Sequence, residues 1–118
     1  MEEIEEKWNE IFIQFLDQLT SLFPESPANK IKLQFILHKT ISNKKPIIIF
    51  IENIKEHGDK IMNEDEDYFF SNKIDFVEEL ELPKYYKLSS NVNRKTIWDY
   101  IKILYVLSDG YSHKLVNK

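Results

Sequence analysis

An all-α fold is predicted: a single compact domain over residues 1–118, built as a bundle of four to six helices. Apolar residues recur at steps of three and four through two long segments, Ile4 to Phe23 and Ile97 to Ser108, the spacing that gathers side chains on one helix face. Prolines and cap-forming residues punctuate the chain between such segments, at Pro24, Ser26-Pro27, Pro46, Pro83 and Ser89-Ser90-Asn91. The β-branched run Ile47 to Ile51 has no second strand-like segment to pair with. A length of 118 residues suits one core, and no repeat or glycine-serine linker divides it.

The first helix carries Ile4, Trp8, Ile11, Phe12, Phe15, Leu16, Leu19, Leu22 and Phe23 on one face. Its opening turn is crowded with glutamates, which suit the positive end of the helix dipole, and Pro24 stops it. Ser26 then reads as an N-cap with Pro27 at the first helical position, opening a helix through Ile31, Phe35 and Ile36 towards Ile41. Ser42 to Lys45 is a polar turn. The run Ile47 to Ile51 has the composition of a buried strand, yet Pro46 suits a helix start, Ile54 continues the spacing and Gly58 supplies a stop, so helix is preferred. Asp59 to Met62 reads as a short turn, and Asn63 as the cap of a helix leading into Tyr68, Phe69 and Phe70. Residues 71–82 are the least readable. Pro83 introduces a short helix to Leu88, and Ser89-Ser90-Asn91 caps a long one bearing Ile97, Trp98, Ile101, Leu104, Tyr105 and Ser108. Gly110 reads as its stop, and the tail 111–118 is expected to fray.

Composition excludes several classes. With no cysteine there is no disulfide scaffold, thiol nucleophile or cysteine-ligated metal. A hydrophobic fraction of 42% opposes intrinsic disorder, while 31% charged residues oppose a membrane protein. The acidic opening predicts no export signal, and no apolar run approaches the ~20 residues of a spanning helix. Asp and Glu number 20 against 16 Lys and Arg, for a net charge of -4, so the basic excess of a phosphate-backbone binder is missing. Arg94 is the sole arginine. Isoleucine, lysine and asparagine are heavily used while glycine is 2, the usage of an AT-rich genome.

No pattern predicts catalysis or a cofactor. His38, His57 and His113 lack ligand spacing and read as structural or solvated. His57 and Asp59 followed by Glu64 to Asp67 fail the calcium-loop test, having no glycine or terminal glutamate in register. Two isolated glycines cannot cradle a phosphate, nor can a seryl nucleophile elbow be built. No metal site is expected.

A surface argument remains. Residues 63–82 hold eight acids against Lys73 alone, interleaved with Tyr68, Phe69, Phe70 and Phe76. Such a segment can dock on a basic, apolar groove, the aromatics anchoring and the acids steering; alternatively the aromatics fill the core while the acids cap helices. The candidate partner-binding residues are Glu64, Asp65, Glu66, Asp67, Tyr68, Phe69 and Phe70, with Arg94 and Lys95 as a second, basic set, because cations at a helix start gain nothing from the dipole.

Three segments, Phe15 to Pro24 (FLDQLTSLFP), Lys60 to Phe70 (KIMNEDEDYFF) and Ile97 to Leu104 (IWDYIKIL), resemble in order and spacing a group of short proteins of nucleocytoplasmic large DNA viruses, the giant viruses. The resemblance implies a viral origin and an all-helical fold, makes the acidic-aromatic segment part of a signature, and carries over no catalytic residue. It also implies an intracellular setting, the host cytoplasm, a virus factory or the virion. The expectation is therefore a non-catalytic interaction module binding a host or viral protein through the acidic-aromatic surface, with homo-oligomerisation open. The alternative is an accessory of viral gene expression or genome packaging touching nucleic acid through Lys30, Lys32, Lys44, Lys45, Arg94 and Lys95.

Overall fold

Trp8, Ile11, Phe12, Phe15, Leu16 and Leu19 lie along one stripe of the first helix, and in the computed structural model, which describes residues 2–116, that stripe is the wall around which the chain folds. The helices are α1 (Glu2–Leu22), α2 (Ala28–Ile41), α3 (Lys45–Ile54), α4 (Gly58–Met62), α5 (Glu66–Ser71), α6 (Asp75–Glu79), α7 (Leu82–Lys87) and α8 (Asn91–Val116), with a 3-10 turn at Lys55–His57. No strand occurs among the described residues. The four longest, α1, α2, α3 and α8, form the bundle, and the four short helices close it between α3 and α8. α1 packs chiefly on α8 and α2, and a Trp8 indole N–H donates to the Leu104 carbonyl at 3.2 Å, pinning α1 to α8 inside the core.

The isoleucine run is helical. Ile47, Phe50 and Ile54 are buried and Ile48 and Ile51 partly so, because α3 meets α1, α2, α6 and α8. A helix enclosed on so many sides can be apolar almost all round, and tertiary burial overrides the β-preference of isoleucine. Pro46 falls within its first two positions.

Helix ends depart from expectation in several places. α2 begins at Ala28 with Pro27 as its cap, and Ser26 Oγ accepts from the Ala28 N–H. Residues 58–62 are helix rather than turn, and the following helix is capped by Asp65, not Asn63: Asp65 Oδ1 accepts from the Tyr68 N–H at 3.2 Å. Gly58 is no stop; it begins α4 with φ -55, and a Cβ there would lie 2.1 Å from the Tyr105 hydroxyl. Its role is to admit that ring. Gly110 lies inside α8, so the expected stop and frayed tail are corrected for residues 111–116, which continue the helix. The cause is Tyr111, 1% exposed, which holds this end against α1. Residues 117–118 lie outside the described residues.

The left-handed turns that stop the short helices carry charged residues instead: Glu64, Lys73 and Glu81 have φ of 52, 50 and 52. After α4 the Asp65 N–H reaches the Lys60 carbonyl at 2.9 Å and the Glu64 N–H the Ile61 carbonyl at 3.1 Å, the two bonds of a Schellman ending with Glu64 at the left-handed position.

Candidate functional site

The acidic-aromatic segment folds inward more than outward. Phe69 is fully buried, its ring 5.3 Å from Trp98 and 6.0 Å from Phe76, so it is corrected from a surface anchor to a core residue. An adjacent pair of side chains on a helix diverges by about 100°, and the turn from Asp65 points Phe69 at α8. Phe70 packs against Tyr86 with the ring centroids 4.8 Å apart and the planes tilted by 49°. Tyr68 shares a 3.0 Å hydrogen bond with His57 Nδ1 and lies under the Lys60 ammonium.

The acids are engaged as well. Glu64 pairs with Lys102 at 2.5 Å, Asp65 with Lys60 at 3.7 Å, and Glu66 accepts a short hydrogen bond from the Tyr86 hydroxyl. That hydroxyl in turn accepts from the Trp98 indole N–H at 3.0 Å. Burial pushes Tyr86 above its ordinary pKa and the bond to Glu66 pushes the same way, with Trp98 and Arg94 pulling back. Asp67 is exposed. What the segment makes is a clamp that closes α5 on α7 and α8.

Arg94 belongs to this clamp. Its Nε–H donates to the Tyr86 carbonyl at 3.0 Å, its Nη2 to the Lys87 carbonyl at 3.2 Å, and its guanidinium lies 4.8 Å over the Tyr86 ring. It caps the end of α7, whose last carbonyls lack partners within the helix. Lys95 instead stands in solvent beside Asp99 at 3.2 Å on its own helix. Lys32, a member of the other basic set, pairs with Asp17 at 2.7 Å.

Two features of the surface have no such internal partners. The first is α2, which is apolar on opposite faces. Ala28 and Phe35 are buried and Ile31 partly so against α1 and α3. On the other side Leu33, Leu37 and Ile41 recur every four residues at 61%, 67% and 74% exposure, with Ile36 beside them at 40%. At 100° per residue these four fall within one sector opposite Phe35. Lys30 and Lys39 are exposed on the same helix, which carries no acid. The signal was present in sequence as a second apolar series offset by two from Ile31 and Phe35.

The second is a groove of about 260 Å³ between α1, α2, α3 and α6. Trp8, Phe12, Phe35, Phe50 and Phe76 line it, with ring centroids 5.1 Å apart for Trp8–Phe50 and Phe12–Phe35 and 5.2 Å for Phe50–Phe76. Asp75 and Glu79 line it too, along with His38, whose Nδ1 is shielded and without a hydrogen-bond partner among the described residues. Four helices contribute these side chains, so no local motif could announce them.

Among the described residues no three histidine, aspartate or glutamate side chains are grouped to hold a metal ion, and no helix is long and apolar enough to cross a membrane. No family model, curated protein or solved structure matches the chain.

Proposed function

We propose that the chain is a non-catalytic helical interaction module that binds another protein through the outer face of α2, and that it works inside a cell, the viral origin implied by its sequence resemblance included. The observation that carries this reading is the exposed series Leu33, Ile36, Leu37 and Ile41. Scattered surface leucines are ordinary, but four on one helical sector form a continuous stripe of the kind that receives an amphipathic helix. The acidic-aromatic surface supports the reading less well, because its members already serve the clamp of α5.

The occupant we propose is an amphipathic helix with acids beside its apolar stripe. α2, the loop after it and the first residue of α3, residues 28–45, contain Lys30, Lys32, Lys39, Lys44 and Lys45 and no acid. Docking two copies face to face would set these lysines against each other, whereas an acidic partner is steered towards them.

A photo-crosslinking residue at position 37 tests the reading in cells that express the protein. The expected product is a crosslink to an acidic amphipathic segment of another protein, lost with Leu33→Asp. A crosslink to a second copy of the chain, to nucleic acid, or to nothing overturns it.

A further inference from the structure

We propose that the aromatic groove between α1, α2, α3 and α6 binds a small organic cation with a compact apolar body, an arylalkylammonium in chemical class. This does not rest on the outer face of α2. The groove is concave and mostly apolar with a few polar groups, the general form of a small-molecule site. Trp8, Phe12, Phe35 and Phe50 form its buried floor and Phe76 is partly exposed, so an apolar body meets aromatic surface along it, and aromatic rings attract a cation electrostatically.

Charge at the groove selects the sign of the ligand. Asp75 and Glu79 stand one turn apart on α6, both exposed, and neither pairs with a cation among the described residues. No lysine or arginine lines the groove. Like charges four residues apart on a helix repel, and a bound ammonium relieves that repulsion while its body covers the rings. An anion is repelled by both carboxylates, and a neutral analogue gains no ion pair.

The test compares 2-phenylethylamine with 2-phenylethanol at neutral pH and low salt, following the Trp8 indole and the Gln34 and Asn53 side-chain amides by NMR. All three residues line the groove. The amine is expected to shift these signals saturably with about fivefold tighter binding than the alcohol, in line with one solvent-facing ion pair plus a cation–ring contact. The Asp75→Asn, Glu79→Gln double variant, altered only at exposed positions, is expected to narrow that preference to about twofold, the part that the cation–ring contact alone supplies. Absence of saturable shifts at these three residues, equal binding of the two compounds by the unaltered protein, or a preference that the double variant leaves undiminished overturns the proposal.

Discussion

Tyr111 donates its hydroxyl hydrogen to Glu5 at 2.5 Å, joining residues 106 positions apart in a buried bond between the end of α8 and the first turns of α1. Glu5 is 8% exposed and Tyr111 1%. Tyr111→Phe leaves the carboxylate in place without its donor, so the variant is expected to lose about 1–3 kcal/mol of unfolding free energy. Pairing it with Glu5→Met removes the orphaned group and is expected to recover part of that loss. Urea unfolding of the two single variants and the double variant measures the coupling; additive losses would show that the bond does not tie the helices.

Alkaline pH acts on the same contact. Burial first, then the bond to Glu5, pushes the Tyr111 hydroxyl up to about 12, against about 10 for a free tyrosine. Tyr86 and Tyr105 are raised as well, burial again leading. A group whose pKa is higher in the folded state stabilises fully below its unfolded value and loses that contribution as pH climbs through the folded one. These tyrosines therefore leave stability unchanged up to about pH 9 and lower it between about pH 10 and pH 12. Urea midpoints measured across that window should fall less steeply for Tyr111→Phe than for the unaltered protein.

The two glycines should respond in opposite directions to alanine. A Cβ at Gly110 meets nothing within 4 Å, so Gly110→Ala is expected to stabilise α8 by about 0.5–1 kcal/mol through helix propensity alone. A Cβ at Gly58 would meet the Tyr105 hydroxyl at 2.1 Å and the ring carbon behind it at 2.6 Å. Gly58→Ala is expected to destabilise by about 1–3 kcal/mol as the ring is displaced, and Tyr105→Leu should remove most of that penalty. Thermal unfolding of the three variants decides it; equal effects at both glycines would refute the packing role.

Left-handed backbone at Lys73 and Glu81 yields a further expectation. A residue with a Cβ pays roughly 1 kcal/mol or more to hold φ near 50, and glycine does not. Lys73→Gly and Glu81→Gly are expected to raise unfolding free energy by about 1 kcal/mol each, read from denaturant midpoints. Glu64→Gly should gain less, because it also gives up the pair with Lys102.

These positions also show why the fold was largely legible in sequence and the helix ends were not. The spacing of Trp8, Phe12, Phe15 and Leu19, and of Ile97, Trp98, Ile101 and Leu104, reports a buried face whatever it packs on. Stops are read from glycine, and in this chain neither glycine is a stop while Glu64, Lys73 and Glu81 are. Site reading met a different obstacle. Acids and aromatics crowd residues 63–70, but whether Phe69 faces solvent or Trp98 depends on where α8 lies, which local pattern does not contain. The groove rings come from four helices for the same reason. The outer face of α2 was readable: Leu33, Leu37 and Ile41 form a helical series separate from that of Ile31 and Phe35.

Arg94 and Lys95, neighbours in sequence and alike in charge, are expected to differ in consequence. Arg94 bonds two carbonyls at the end of α7 and covers the Tyr86 ring. Its planar fork makes those contacts together, and lysine, with a single ammonium, cannot reproduce them. Arg94→Lys is therefore expected to cost about 1–2 kcal/mol through lost hydrogen bonds and ring contact. Lys95 reaches only Asp99 on its own exposed helix face, so Lys95→Ala should stay within about 0.5 kcal/mol of the unaltered protein. Tyr86 provides an independent readout: because the charge of Arg94 lowers its pKa, Arg94→Ala, which removes that charge, should move tyrosinate absorbance at alkaline pH further upward, a change that Lys95→Ala should not produce. Equal stability losses at the two positions would place Arg94 outside the α5–α7–α8 clamp and return it to the solvent-facing set.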